Sequence, residues 1–175
     1  MRFKQFYLEE AHSYSCAMLN LSPSLAKKIE SFAKANIKNE DLFTEEGDGG
    51  WPEKTHVTVK YGITEEAPDG VESLIGGFGT VNFKLKDVTK FEAKEYDVLK
   101  IDVESPKLRE MNKIISDNME TVDTFPKYHP HVTLAYVKKG KGDHLINNSK
   151  FNGVVDMVEK VYFTNKHDEE YYIKL

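Results

Sequence analysis

The 175-residue chain is 39% hydrophobic, 11% aromatic and 30% charged, enough apolar material for one compact domain and too much for a disordered segment. Its 24 Lys and Arg against 29 Asp and Glu leave −5 at pH 7, which argues against the basic footprint of duplex-DNA binding but not against a small anionic ligand held by a few local cations. No run approaches the ~18 apolar residues of a membrane span, charge comes too early in the first ten residues for a signal peptide, and the lone Cys16 excludes an internal disulfide. These observations lead us to expect a single domain over residues 1–175, cytoplasmic and without a membrane partner.

In chain order, Phe3, Phe6 and Tyr7 share one helical face, predicting a short docking helix within residues 1–12. Residues 13–21 read as a strand. Ser22-Pro23 then supplies an N-cap and a proline at the first helical position, opening a helix over about 23–38 with Leu25, Ile29 and Phe32 on one stripe. Glycines and acidic residues make 44–54 a loop, followed by a strand at 56–62 and a short helix near 68–76. Three extended segments are predicted at about 80–86, 88–93 and 96–104. Ser105-Pro106 repeats the cap signal for a helix over 106–119, and a strand follows at 131–137. Residues 154–164 and 170–175 read as a closing hairpin. The order strand, capped helix, loop, strand thus occurs twice, an α+β chain with two similar halves.

Each half ends in the same motif: His56-Val57-Thr58-Val59 and His131-Val132-Thr133-Leu134. Side chains alternate along a strand, so each histidine and its threonine share a face, while Val57, Val59 and Tyr61, like Val132, Leu134 and Tyr136, are expected in the core. Chance would place two such His-x-Thr pairs on apolar strands in roughly 1% of chains of this composition. Two imidazoles on one cleft suit phosphodiester cleavage without metal. One accepts a proton from the attacking hydroxyl and the other donates to the departing oxygen, with threonine hydroxyls answering the charge that builds on phosphate.

The paired motifs, 75 residues apart and one of them written HPHVTLAYV, resemble the 2H phosphoesterase superfamily. Its members include LigT-like RNA 2′,3′-cyclic phosphodiesterases, plant cyclic phosphodiesterases and phage enzymes that destroy the cyclic-oligonucleotide messengers of CBASS immunity. The resemblance implies a bilobal α+β fold, two pseudo-symmetric antiparallel-sheet lobes flanking a central cleft with helices outside. It also implies His56, Thr58, His131 and Thr133 as catalytic residues, no metal or other cofactor, and a small nucleotide substrate. In length, opening and acidity the chain looks most similar to the phage enzymes, which implies ring opening of a cyclic di- or oligonucleotide by 2′-hydroxyl attack. Tyr136 stands where the RNA-processing branch often carries arginine.

Further candidates each have a plainer alternative. Trp51 either stacks on a base or pins its loop, and Tyr14 and Tyr128 either line the cleft or pack. Lys60 shares the parity of His56 and Thr58, so a regular strand would aim it at the cleft. Lys138, with Lys139 and Lys141, forms a phosphate clamp or a solvated loop. Glu159 accepts from a base amine or is a surface carboxylate. His129 beside His131 raises a zinc alternative, which leaves the threonines without a purpose. A binding module without turnover is the rival of another class.

Overall fold

The structure, a computed structural model, describes residues 13–44, 50–122 and 127–175. The docking helix expected within residues 1–12 lies outside them. Among the described residues, eight strands, β1 (Ser15–Asn20), β2 (His56–Ile63), β3 (Val81–Glu92), β4 (Tyr96–Glu104), β5 (His131–Lys138), β6 (Val155–Val158), β7 (Lys160–Thr164) and β8 (Glu170–Lys174), are interrupted by helices α1 (Pro23–Asn36) after β1, α2 (Asp69–Ile75) after β2 and α3 (Pro106–Asn118) after β4. Among the described residues no helix is long and apolar enough to cross a membrane.

The strands form one antiparallel sheet in the order β6-β3-β4-β5-β2-β1-β7-β8. The order divides into two four-stranded halves with a motif strand at the inner edge of each: β2 beside β1, β5 beside β4. The halves meet at β2 and β5, where Val57 pairs with Val132. Beyond that pair the motif strands part and take new partners. Tyr136 N–H donates to the Gly50 carbonyl at 2.7 Å, and Val122 N–H to that of Gly62 at 2.7 Å. Each motif strand thus pairs with the loop that precedes the other motif.

Two segments differ from the sequence reading. The stretches at 80–86 and 88–93 are one strand, β3, with a register shift between Leu85 and Val88. The arm expected over 154–164 breaks at Glu159: β6 pairs with β3, while β7 and β8 make the hairpin. β6 and β7 stand six places apart in the strand order. In a flat sheet that separation would be roughly 29 Å, and one residue spans about 3.5 Å, so the sheet is strongly curled.

One face of the sheet carries the main core. Leu25, Ile29 and Phe32 of α1 and Leu108, Met111 and Ile115 of α3 are buried there, as their spacing requires, against Leu19, Val57, Val59, Leu99, Ile101 and Val132. Ser105 caps α3, its Oγ accepting from Leu108 N–H at 3.3 Å. Ser22 makes no such side-chain bond; its backbone N–H donates to Asp156 Oδ2 at 2.7 Å. With the helices on this face, the opposite face is left to the motif side chains.

Candidate active site

Antiparallel register brings the two motifs together crosswise. Carried one residue either way from Val57–Val132, it sets His56 across from Thr133 and Thr58 across from His131. All four are half-buried, and the valines between them are fully buried on the other face. Two histidines and two threonines therefore lie on one face of the strand pair, each histidine across from a threonine of the other half.

Both rings are oriented by the same device. His56 Nδ1 lies 2.9 Å from the Lys54 carbonyl and His131 Nδ1 lies 2.6 Å from the His129 carbonyl, in each case two residues earlier. A carbonyl only accepts, so Nδ1 carries the proton of the neutral ring and the Nε2 lone pair is left for chemistry. Burial lowers the pKa of both imidazoles: that of His56 falls below its ordinary 6.5, and that of His131 falls to about 4, helped by the Lys100 charge. Cys16 stays a neutral thiol beside Thr58, because burial pushes it up to about 12.

The depressed His131 makes stability depend on pH. Between pH 6.5 and about 4 the unfolded chain binds a proton that the folded one refuses, so stability is full above 6.5 and is lost as pH falls toward 4. Melting temperature followed from pH 7 down to 4.5 should fall less steeply in His131→Gln than in the wild type. Equal slopes would mean that other groups carry the acid sensitivity.

A bulge in each motif strand changes the candidate set. In β2, Thr58 pairs with Met18 but Lys60 with Ala17, and in β5, Thr133 pairs with Lys100 but Ala135 with Leu99. One extra residue, Val59 or Leu134, is inserted just after each threonine, and the alternation shifts by one. Lys60 was expected on the cleft face from a regular strand. It instead falls in the row of Val59 and fully buried Ala17, itself 4% exposed. Tyr61 and Tyr136, expected in the core, move to the motif face. Tyr61 is half-buried opposite Cys16 and edge-on to Tyr14 at 6.4 Å. Tyr136 packs with Phe91 on a second apolar cluster of Phe43, Ala93, Tyr96 and Val98, separate from the main core. Both motifs therefore read His-x-Thr-x-x-Tyr, a longer repeat that was visible in the sequence. At the β2 bulge, Asn112 Nδ2 donates to the Val59 carbonyl and Tyr128 Oη to the Thr58 carbonyl, each at 2.7 Å.

The other sequence candidates divide. Tyr14 lies on the motif face beside Tyr61. Tyr128 spends its hydroxyl on β2 and packs against the main core, as does half-buried Trp51. Trp51 also lines a small pocket between α1 and β5 that reaches Thr133. Lys138 donates to the Glu40 carbonyl at 2.7 Å and Lys139 to that of Ala93 at 2.8 Å, tying their loop to neighbouring turns. Glu159 is the exposed link between β6 and β7, its carbonyl accepting from Leu175 N–H at 2.9 Å. Sequence reading missed Asn20, opposite His56, whose buried Oδ1 has no partner among the described residues. It also missed Lys100 and Asp102 of β4, opposite Thr133 and His131. The signal was there: Lys100 and Asp102 alternate with Leu99, Ile101 and Val103 on a strand.

No protein-family profile matches the sequence, and no curated protein does. Solved structures do match. Usb1 of Kluyveromyces marxianus with uridine monophosphate superposes with a TM-score of 0.60 at 9% identity, over 94% of this chain and 99% of that one. E. coli LigT complexed with NADP+ gives 0.62 at 14% identity, over 93% and 95%. LigT complexed with 3′-AMP gives 0.60 at 14% identity, over 93% and 94%. These identities carry fold rather than activity, and the fold is the one that the resemblance implied: this chain has a LigT-like fold, with its two His-x-Thr motifs on the strands that join the halves.

Proposed function

We propose that the protein is a metal-independent phosphodiesterase of the 2H superfamily acting on a small nucleotide, with His56, Thr58, His131 and Thr133 as its catalytic residues. The observation that carries this reading is the crosswise pairing of the motifs, with each Nδ1 held by a backbone carbonyl so that two Nε2 atoms are available at one patch. In the first step the 2′-oxygen bonds to phosphorus as one Nε2 takes its proton. The bond to the departing 5′-oxygen breaks as the other ring, protonated at Nε2, delivers a proton to it. Burial keeps both rings neutral in the empty site, and a bound phosphodiester anion favours the imidazolium that the second role needs. Hydroxyls of Thr58 and Thr133 donate to the non-bridging oxygens. Thr58→Ala and Thr133→Ala should each slow turnover by about 10²–10³, read as kcat at saturating substrate.

The narrower reading is that the substrate is a cyclic di- or oligonucleotide messenger, opened through a 2′,3′-cyclic phosphate, as in the phage anti-CBASS enzymes that the chain resembles in length, opening and acidity. In support, half-buried aromatic rings stand on both sides of the patch, Tyr14 and Tyr61 on one and Tyr136 and Phe91 on the other, surfaces on which bases stack. A second reading, hydrolysis of 2′,3′-cyclic phosphates on nucleotides or RNA ends, draws support from the mononucleotide complexes of the similar folds: LigT with 3′-AMP and Usb1 with uridine monophosphate. Chromatography of a panel incubated with the protein in excess EDTA separates them. Ring opening of cyclic di- and trinucleotides supports the first reading, and cleavage of 2′,3′-cyclic phosphates alone supports the second. Recovery of every nucleotide intact overturns both and leaves a binding module.

A further inference from the structure

The two halves of the sheet are built alike but flanked differently. Beside the first motif, β1 places Asn20 opposite His56 and Met18 opposite Thr58. Beside the second, β4 places Asp102 opposite His131 and Lys100 opposite Thr133. An uncharged pair in one half is replaced, in the equivalent rows of the other, by an anion and a cation.

Lys100 is 3% exposed, a burial at which a lysine persists only when its charge is answered. Its Nζ donates to Thr89 Oγ1 at 2.7 Å and to Asp102 Oδ1, and lies 4.3 Å from the centroid of the Phe91 ring. Phe91 in turn meets the His131 ring edge to face, centroids 5.0 Å apart and planes at 88°. The cluster therefore reaches His131 twice, through the packed Phe91 ring and through Asp102 across the strand pair. Among the described residues, the charged and titratable groups around His131 are Lys100 and Asp102 from β4, His56 from β2 and His129 at the entry to β5; β3 contributes uncharged Phe91 and Thr89. A lysine held by two acceptors and an aromatic face is poorly placed to follow a substrate, but its fixed charge opposes a second positive charge on the adjacent ring.

We propose that Lys100, clamped by Asp102 and Thr89 and packed on Phe91, is a positioning residue for the second motif: it holds the His131 ring in place and keeps it uncharged, so that Nε2 stays a proton acceptor. The proposal rests on the phosphodiesterase reading only for its kinetic consequence; the control of His131 is a property of the protein alone.

The test is therefore an NMR titration of the His131 imidazole in substrate-free wild type and in Lys100→Gln, Lys100→Met, Lys100→Arg and Asp102→Asn. Removing the cation in Lys100→Gln or Lys100→Met leaves Asp102 unopposed and should raise the His131 midpoint by about one pH unit. Lys100→Arg should restore the wild-type value, and Asp102→Asn should move it no higher. The opposite behaviour of the two charge removals is what a merely structural cluster would not produce. Equal midpoints in folded variants, or an upward shift in Asp102→Asn as large as in Lys100→Gln, would overturn the proposal. Lys100→Gln keeps a polar group for Thr89 and Asp102, so the test survives if Lys100→Met fails to fold. If the nucleotide panel shows cleavage, the acid limb of kcat/KM should shift with the midpoint. If it shows none, the titration still decides the role of Lys100 while the phosphodiesterase reading fails separately.

Discussion

Replacement of either His56 or His131 by alanine should abolish turnover while leaving the protein folded. In the proposed reaction each imidazole transfers one of the two protons that the displacement moves, and loss of one general acid or base costs about 10²–10⁴ in rate. Because the two act in one step, the double variant should be little worse than the more damaged single one. The fold should tolerate both changes. Each ring is half-buried, and its hydrogen bond among the described residues is local, to the carbonyl two residues earlier. Truncation also removes a group whose protonation burial opposes. The check is kcat/KM on the nucleotide that the panel selects, with melting curves recorded alongside. A wild-type rate in either variant would remove that histidine from the mechanism. A rate loss accompanied by a collapsed melting transition would mean that the ring serves the fold instead.

Gly62→Ala should have the largest effect on stability among single-methyl changes near the site, about 3 kcal/mol or more. Gly62 is the extra residue at a second register shift in β2, between Tyr61 opposite Cys16 and Ile63 opposite Ser15, and its backbone φ of +85° lies in a region that costs a side-chain-bearing residue strain. An added Cβ would overlap the Val122 carbonyl oxygen and stand 3.0 Å from its carbon. That neighbour is backbone and is itself fixed: Val122 N–H donates to the Gly62 carbonyl at 2.7 Å, and Ile63 bridges Thr121. Relief of the clash must therefore separate β2 from the segment that leads into the second motif. Urea unfolding should show a lower midpoint with an unchanged slope, and any nucleotide turnover should fall with it. The second motif carries Val137 at the matching position, so the requirement belongs to the close approach of Val122 rather than to the repeat. A variant as stable as the wild type would show that the segment at 121–122 can move aside.

Much of this protein was legible along the chain because it depends on near neighbours. The α1 and α3 stripes, the Ser105 cap and the two His-x-Thr strands follow from spacing over a few residues, and so does the sharing of one face by each histidine and its threonine. The doubled motif, each copy preceded by a strand and a helix, was sufficient to indicate an α+β chain of two similar halves, and the family resemblance it carries implied the fold. What only the tertiary structure decided concerns partners distant in sequence. The bulges after Thr58 and Thr133 are set by register against β1 and β4, and one extra residue reverses the side chains that follow it, in β2 until a second shift at Gly62. Lys60 thereby leaves the motif face, and Tyr61 and Tyr136 enter it. The break at Glu159 follows from the curl of the whole sheet, which brings β6 to β3 and β7 to β1. The charged flank of His131 arises because β4 lies beside β5, a pairing of residues about thirty apart in sequence that local pattern does not encode. Sequence alone determined that each histidine shares a strand face with its threonine, because residue type and strand parity are local. Their surroundings, and so their charge states, were decided by the strands that the sheet places next to them.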